Sequence, residues 1–177
     1  MQVPLKTRFT GLDSLWLPRT VLSADLIVSM PKVKTHHWAG VTLSLKNMFG
    51  VVPGVAYGWP KNVLHWRGID RSVLDINGAV PVHFVIADGI IGMEGNGPLH
   101  GSARHLGRIV LSDDTVAADF TCAQLMGLNP WRVGHLAQAA KFLGNGAVER
   151  IDQVGERIPQ TVQPFAVLPE FAHLAAM

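Results

Sequence analysis

The chain has 177 residues, a formal net charge of +2 and one cysteine, Cys122. This length predicts one domain with a substantial hydrophobic core, and the small, unclustered positive charge excludes a typical nucleic-acid-binding surface. A single cysteine excludes an intrachain disulfide and an all-cysteine iron–sulfur cluster held by this chain.

The hydrophobic pattern also bears on location. No apolar run reaches the roughly 18 residues of a membrane span, and Met1–Thr10 lacks the apolar stretch of a signal peptide. We therefore predict a cytoplasmic protein.

Charged residues make up only 16% of the chain, and the mean hydropathy is +0.24. These values indicate extensive buried surface, or surface covered by a missing part or another subunit.

Strand and helix patterns alternate along the chain. In order, we predict a buried strand over 24–30, a polar loop over 31–39, a helix over 40–49, a helix over 70–80, a strand over 82–87, a glycine-rich loop over 88–107, a strand over 108–111, helices over 116–126 and 131–143, and a short strand over 148–155. This alternation is typical of an α/β fold with a mostly parallel sheet and flanking helices in three layers. Residues 1–158 would form one domain, followed by an irregular tail over 159–177.

Two polar stretches follow apolar runs, where open α/β sheets place their ligand sites. The first is cationic and runs from Met30 to Gly40. Its candidate ligand-binding side chains are Lys34, Thr35 and His36. Such donors, with free backbone amides at the start of the next helix, suit an anion such as phosphate or carboxylate. A solvated basic turn is the alternative, but Lys46 and Asn47 in the predicted helix favour the anion site.

The second stretch, Asp88–Pro98, is acidic and rich in glycine. Its polar side chains are Asp88, Glu94 and Asn96. The carboxylates could bind a divalent cation or act as acid and base, and a plain surface loop is the alternative. The spacing matches neither a Walker A loop, an EF-hand nor the dinucleotide-binding fingerprint.

Two further residues have candidate roles. His36 and His37 are adjacent and would point in opposite directions in an extended chain, so they should not share one metal ion. His36 could be a ligand or a general base, with an exposed turn histidine as the alternative. Asp119 lies at a semi-buried position of the helix over 116–126. A buried aspartate needs a partner, and we predict Lys34 or Lys46.

Three ordered motifs together resemble one known family. They are Pro31–His36 followed by Gly40–Gly50, then Asp88–Ile90 with Glu94–Pro98 and Gly101, and finally Asp113–Asp119. This combination resembles the DUF362 family, a domain of unknown function that occurs alone or joined to ferredoxin-type iron–sulfur modules. The resemblance covers about residues 20–157. Position 115, usually proline in the family, is threonine here.

The resemblance has two implications. Family members usually carry an N-terminal α/β segment before the Lys-Thr-His motif, so it implies a truncated domain with incomplete layers. The four-cysteine ferredoxin motifs are absent, so an iron–sulfur or redox function is implied only through a partner protein.

We therefore expect a small anionic ligand, alone or with a metal ion, between the two polar stretches. The predicted ligand-binding residues are Lys34, Thr35, Lys46, Asn47, Asn96 and Asp119, and the candidate catalytic residues are His36, Glu94 and Asp88. The alternative is a non-catalytic accessory module that docks on an iron–sulfur or redox partner through the aromatic segment 57–66 and the proline-rich tail. An enzyme would bury Lys34, His36 and Glu94 in one cleft, whereas a docking module would expose Tyr57, Trp59 and Trp66 on a flat face.

Overall fold

The computed structural model describes residues 1–59 and 61–176. Its strands are β1 (Gln2–Pro4), β2 (Ser14–Trp16), β3 (Val28–Ser29), β4 (Lys32–His36), β5 (Gly40–Thr42), β6 (Phe84–Asn96) and β7 (His100–Ser112). Its helices are α1 (Arg19–Leu22), α2 (Ser44–Asn47), α3 (Gly54–Tyr57), α4 (Asn62–Trp66), α5 (Ile69–Ala79), α6 (Thr115–Leu125) and α7 (Gly134–Ala139). Short 3-10 helices cover Met48–Val51, Pro130–Arg132, Val148–Arg150 and Pro169–Leu174.

The long strand β6 is the centre of the main sheet. Along one side it pairs in parallel with β3 and then with β4. Along its other side it pairs antiparallel with β7 over almost its whole length, and β5 pairs antiparallel with β4. Strands β1 and β2 form a separate antiparallel pair. The sheet thus has a parallel core with antiparallel outer strands, and the predicted α/β class is confirmed.

The predicted glycine-rich loop over 88–107 is wrong. β6 and β7 run through it, with a bulge between Gly89 and Ile91. At Gly92 an added Cβ would lie 2.7 Å from the carbonyl oxygen of Val33 on β4. Glycine is needed here because two backbones pass closely, a role that glycine also takes inside strands. The turn itself is confined to residues between Asn96 and His100.

The region before α5 also differs from the prediction. The loop predicted over 31–39 contains β4, and the helix predicted over 40–49 begins only at Ser44. The β-branched residues Val41 and Thr42 favour a strand, and both pair with β4. The strand predicted over 24–30 is reduced to β3, which pairs with Phe84 and Val85 at the very start of β6.

Near the C-terminus, the predicted short strand over 148–155 is wrong, because the structure has a 3-10 helix at Val148–Arg150. The helix predicted over 131–143 is shortened to α7 and preceded by a 3-10 helix. By contrast, α5 and α6 lie within one residue of their predicted bounds, and Cys122 is buried as predicted.

The two faces of the main sheet differ in burial. Val85 and Ala87 of β6 lie in the hydrophobic core. On the opposite face, Ile109 and Leu111 of β7 are 54% and 61% exposed. Apolar side chains therefore occur on both faces of the sheet, and those of β7 on the second face are exposed.

A buried carboxylate ties the N-terminal segment to α5. Asp75 is fully buried and accepts hydrogen bonds from the backbone amides of Phe9 and Thr10, at 3.1 and 2.9 Å, and from the hydroxyl of Thr10 at 2.6 Å. The surrounding backbone therefore depends on one side chain from a helix more than sixty residues away in sequence.

We expect an Asp75→Ala variant to lose about 3 kcal/mol of unfolding free energy, because two backbone amides would lose a charged acceptor. Urea denaturation at neutral pH measures this. The matched control is Asp13→Ala, which removes only an exposed ion pair with Arg8 and should change stability by less than about 0.5 kcal/mol. Equal effects of the two substitutions would contradict the anchoring role of Asp75.

Candidate functional site

The two polar stretches are neighbours in the structure. The hydroxyl of Thr35 donates a hydrogen bond to the carbonyl oxygen of Gly95 at 2.8 Å. The backbone amide of His37 donates to the carbonyl oxygen of Gly97 at 2.9 Å. These contacts follow from the parallel pairing of β4 with β6. The end of β4 therefore lies against the hairpin turn. The contacts are made by the backbone, by the hydroxyl of Thr35 and by the imidazole of His37, whose Nδ1 lies 2.7 Å from the carbonyl oxygen of Gly97.

Three lysines form the most unusual electrostatic feature of this region, and we call Lys34, Lys46 and Lys61 the lysine cluster. Burial lowers the pKa of all three. The pKa of Lys46 falls to about 8, first because of burial and then because of the charges of Lys61 and Lys34. Within residues 1–59 and 61–176, no carboxylate forms an ion pair with any member. The cluster therefore carries uncompensated positive charge.

Phe49 lies between two of the lysines. The Lys46 ammonium is 4.4 Å from the centroid of its ring, and that of Lys61 is 5.5 Å away. Lys61 also donates to the backbone carbonyls of Phe49 and Gly50, at 2.9 and 3.2 Å. An aromatic face and carbonyl dipoles attract cations without neutralising them. This environment holds the ammonium groups in place while leaving their charge available.

Lys61 was not among the residues predicted for the site. It has a positive φ of 71°, which is uncommon for a residue other than glycine. A sequence signal for it exists. Between Asp25 and Asp70 there are five basic residues and no acidic one; they are Lys32, Lys34, Lys46, Lys61 and Arg67. A segment of one charge sign that folds into a single region must concentrate that charge.

His36 is buried and held in one orientation. Its Nδ1 atom accepts hydrogen bonds from the backbone amides of Trp38 and Ala39, at 3.0 and 3.2 Å. Burial, followed by the nearby charge of Lys46, lowers its pKa to about 3. A neutral imidazole whose Nδ1 is an acceptor carries its proton on Nε2. His36 is thus a hydrogen-bond donor through Nε2, which suits ligand binding better than general-base catalysis.

The carboxylates predicted for the second stretch have their own partners. Asp88 pairs with Lys32, and this contact, with the amide of Ile90, lowers its pKa. Glu94 accepts a hydrogen bond from the amide of Ala166 at 3.0 Å and lies 3.8 Å from the Arg104 guanidinium. Asn96 is exposed at the hairpin end. The backbone of this stretch adjoins the first one, but its carboxylates pair with residues outside the lysine cluster.

Among the residues that the structure describes, no set of three or more His, Cys, Asp or Glu side chains is placed to hold one metal ion.

The predicted pairing of Asp119 with Lys34 or Lys46 is wrong. The carboxylate is fully buried and accepts hydrogen bonds from the amides of Ser44 and Leu45, at 2.7 and 2.9 Å. Burial raises its pKa to about 7, against the opposing effect of the two amides. These amides begin α2, the helix that carries Lys46. Asp119 therefore fixes the start of α2 through these two backbone hydrogen bonds.

Asn47, the other predicted ligand residue on α2, is exposed, and its side-chain amide donates to the hydroxyl of Ser29 on β3 at 3.1 Å. This bond directs Asn47 toward β3.

The aromatic segment borders the lysine cluster. The ring of His65 on α4 lies 5.1 Å from that of Trp38 and 5.0 Å from that of Phe49, measured between centroids. Tyr57 is buried, and its hydroxyl accepts a hydrogen bond from the amide of Trp16 at 2.7 Å. The expectation that Tyr57 belongs to an exposed surface is therefore wrong. Trp59 and Trp66, in contrast, are exposed.

We expect Asp119→Asn to lower the free energy of unfolding by about 2 kcal/mol, because the amide NH₂ group cannot accept the second backbone hydrogen bond. Urea denaturation measures the loss. Asp113→Asn is the matched control, since Asp113 is exposed just before the same helix, and it should stay within about 0.5 kcal/mol of the natural protein. A wild-type value for Asp119→Asn would argue against its role in holding α2.

Comparison with known proteins places the chain in a family. The family model described as "Domain of unknown function (DUF362)" matches residues 1–124. The chain is also similar to the thylakoid-associated protein sll1697 of Synechocystis sp. (strain ATCC 27184 / PCC 6803 / Kazusa), with 32% identity over 133 residues. This alignment covers 71% of the chain and 40% of the relative.

No solved structure gives a significant match. The family match includes β4, α2 and β6, and with them Lys34, Lys46 and Lys61. It also includes Asp119. The chain therefore belongs to the DUF362 family, whose function is unknown.

Proposed function

We propose that this chain binds a small anionic ligand at the lysine cluster. The observation that supports this most strongly is the partial burial of three lysines that have no carboxylate partner in the described part of the chain. Buried charges are normally paired, and a group such as Lys46, whose pKa is lowered by burial and by neighbouring like charges, is typical of functional sites. An anion would relieve the repulsion and provide the missing partner.

Each residue would contribute differently. Lys46 and Lys34 supply charge, and Lys61 completes the cluster from the aromatic segment. His36 supplies a neutral N–H donor through Nε2, because its Nδ1 is already an acceptor. Thr35 joins the two stretches through its bond to Gly95, so we assign it to positioning.

We leave the remaining predicted residues outside the ligand contacts. Asp88 and Glu94 have cationic partners of their own, Asn96 is exposed at the turn, and Asn47 bonds to Ser29. Asp119 acts through α2. A bound metal ion is not needed for the proposed binding of the anion, since the lysines supply the positive charge.

The second candidate is a non-catalytic module that docks on a partner, such as an iron–sulfur or redox protein. The exposed rings of Trp59 and Trp66 favour a contact surface of some kind. The relative's name describes it as thylakoid-associated, but the chain spans less than half of that relative. We keep a cytoplasmic location as part of the proposal. In the described residues, no helix has both the length and the apolar character needed to cross a membrane.

Lys46→Met tests the anion site. We expect the natural protein to bind sulfate and inorganic phosphate, and the variant to bind each at least about tenfold more weakly, because a charge-assisted hydrogen bond is lost. Calorimetric titration measures the affinities. Lys141→Met, at an exposed lysine after α7, is the control and should bind like the natural protein. Equal affinities for both variants would refute the assignment of Lys46.

The pH dependence provides an independent test. Because the pKa of Lys46 is about 8, the lysine is charged below this pH and loses its proton above it. Sulfate keeps a constant charge in this range, so its affinity should fall above pH 8, by at most about tenfold per pH unit for one proton. Binding of sulfate at pH 8 should also be accompanied by proton uptake by the protein, because the anion favours the charged form of Lys46. The decline should be smaller in Lys46→Met, and an unchanged sulfate affinity from pH 7 to 9 in the natural protein would contradict the proposal.

A further inference from the structure

We propose that the chain docks on an anionic lipid surface through its aromatic segment. The contact surface consists of Val55, Trp59, Val63 and Trp66, which we call the aromatic patch. This inference goes beyond the anion site, because it depends on exposed apolar side chains and on positive charge nearby, whether or not a free anion binds to the lysines.

The first argument is exposure. Trp59 is 86% exposed and Trp66 is 79% exposed, while Val55 is fully exposed. Val63 and Trp66 are three residues apart on α4 and therefore share one helix face. Between them, Leu64 is completely buried and anchors the helix to the core. Helix α4 is thus attached to the core by Leu64 and exposes the apolar side chains of Val63 and Trp66.

The second argument is charge. Lys61 lies directly before α4, and His65 on α4 packs beside Trp38 and Phe49. The ammonium group of Lys46 in turn lies over the ring of Phe49. The sequence has no acidic residue between Asp25 and Asp70. The aromatic patch is therefore bordered by positive charge, which is complementary to anionic lipid head groups.

The third argument distinguishes a lipid surface from a protein partner. Protein interfaces place their aromatic anchors in packed pockets and usually have a polar rim. Here large side chains project from a short segment in which the one formal charge is the positive charge of Lys61. Tryptophan at the boundary between water and lipid, with lysine beside it, is typical of proteins that lie on a membrane.

The test is co-sedimentation of the full chain with vesicles of phosphatidylcholine, with or without phosphatidylglycerol. We expect binding only when phosphatidylglycerol is present, and a decrease with added salt. The double variant Trp59→Ala/Trp66→Ala should bind these vesicles at least about tenfold more weakly, because two apolar side chains no longer enter the interface. Trp131→Ala, at a half-exposed tryptophan in another segment, should bind like the natural protein.

The outcomes separate this inference from the anion site. The double tryptophan variant should keep its thermal stability and its sulfate affinity, whereas Lys46→Met should lose sulfate affinity and reduce vesicle binding by about fivefold at most. Failure to bind sulfate would leave the vesicle result intact. Equal vesicle binding by the double variant and the natural protein would overturn the lipid proposal. So would a stable complex with a protein partner in place of vesicle binding.

Discussion

The hydrogen bonds from the first amides of α2 to the carboxylate of Asp119 are the interaction on which the candidate site depends. α2 has only four residues, and a helix this short is not stable alone. Asp119 holds its start from α6, and Asn77 of α5 donates to the carbonyl of Leu45 at 2.9 Å. Two long helices therefore fix a short one, and Lys46 takes its position from them. The raised pKa of Asp119 shows that burying this carboxylate has a cost, which the two amides offset only in part.

The same framework explains how the positive charges stay together. Lys34 comes from β4, Lys46 from α2 and Lys61 from the segment before α4. Repulsion among them favours separation, but two of them lie on backbone held by contacts elsewhere. The pairing of β4 with β5 and β6 holds Lys34, and Asp119 holds the helix of Lys46. Burial lowers the pKa of Lys46 first, and the charges of Lys61 and Lys34 lower it further. Such a conflict between charge and packing is expected where a site is prepared for a ligand.

The sequence predicts the parts of this structure that depend on regular patterns. The α/β class follows from the alternation of strand and helix patterns, and α5 follows from an apolar stripe. α6 follows from the N-cap residues before it and Gly127 after it, and the burial of Cys122 follows from its place in that helix. The β6–β7 hairpin could not be predicted in this way, because glycine normally weakens strands and the close approach of Gly92 to Val33 is a tertiary contact. The partner of Asp119 was missed for a related reason. Charge suggested a lysine, whereas the buried groups that needed an acceptor were backbone amides, which no side-chain pattern reveals.

The aromatic segment and the lysine cluster share one residue, and this links the two proposals. Lys61 belongs to the segment, yet its ammonium donates to the carbonyls of Phe49 and Gly50. The segment is also anchored by the buried residues Tyr57 and Leu64. An anion that drew Lys61 toward Lys46 would compete with those carbonyls, and would so act on the backbone that presents Trp59. A surface rich in anions supplies both the partner for the lysines and the boundary that tryptophan favours. The lysine cluster and the aromatic patch therefore meet at Lys61, although binding of a free anion and contact with a lipid surface remain separate events.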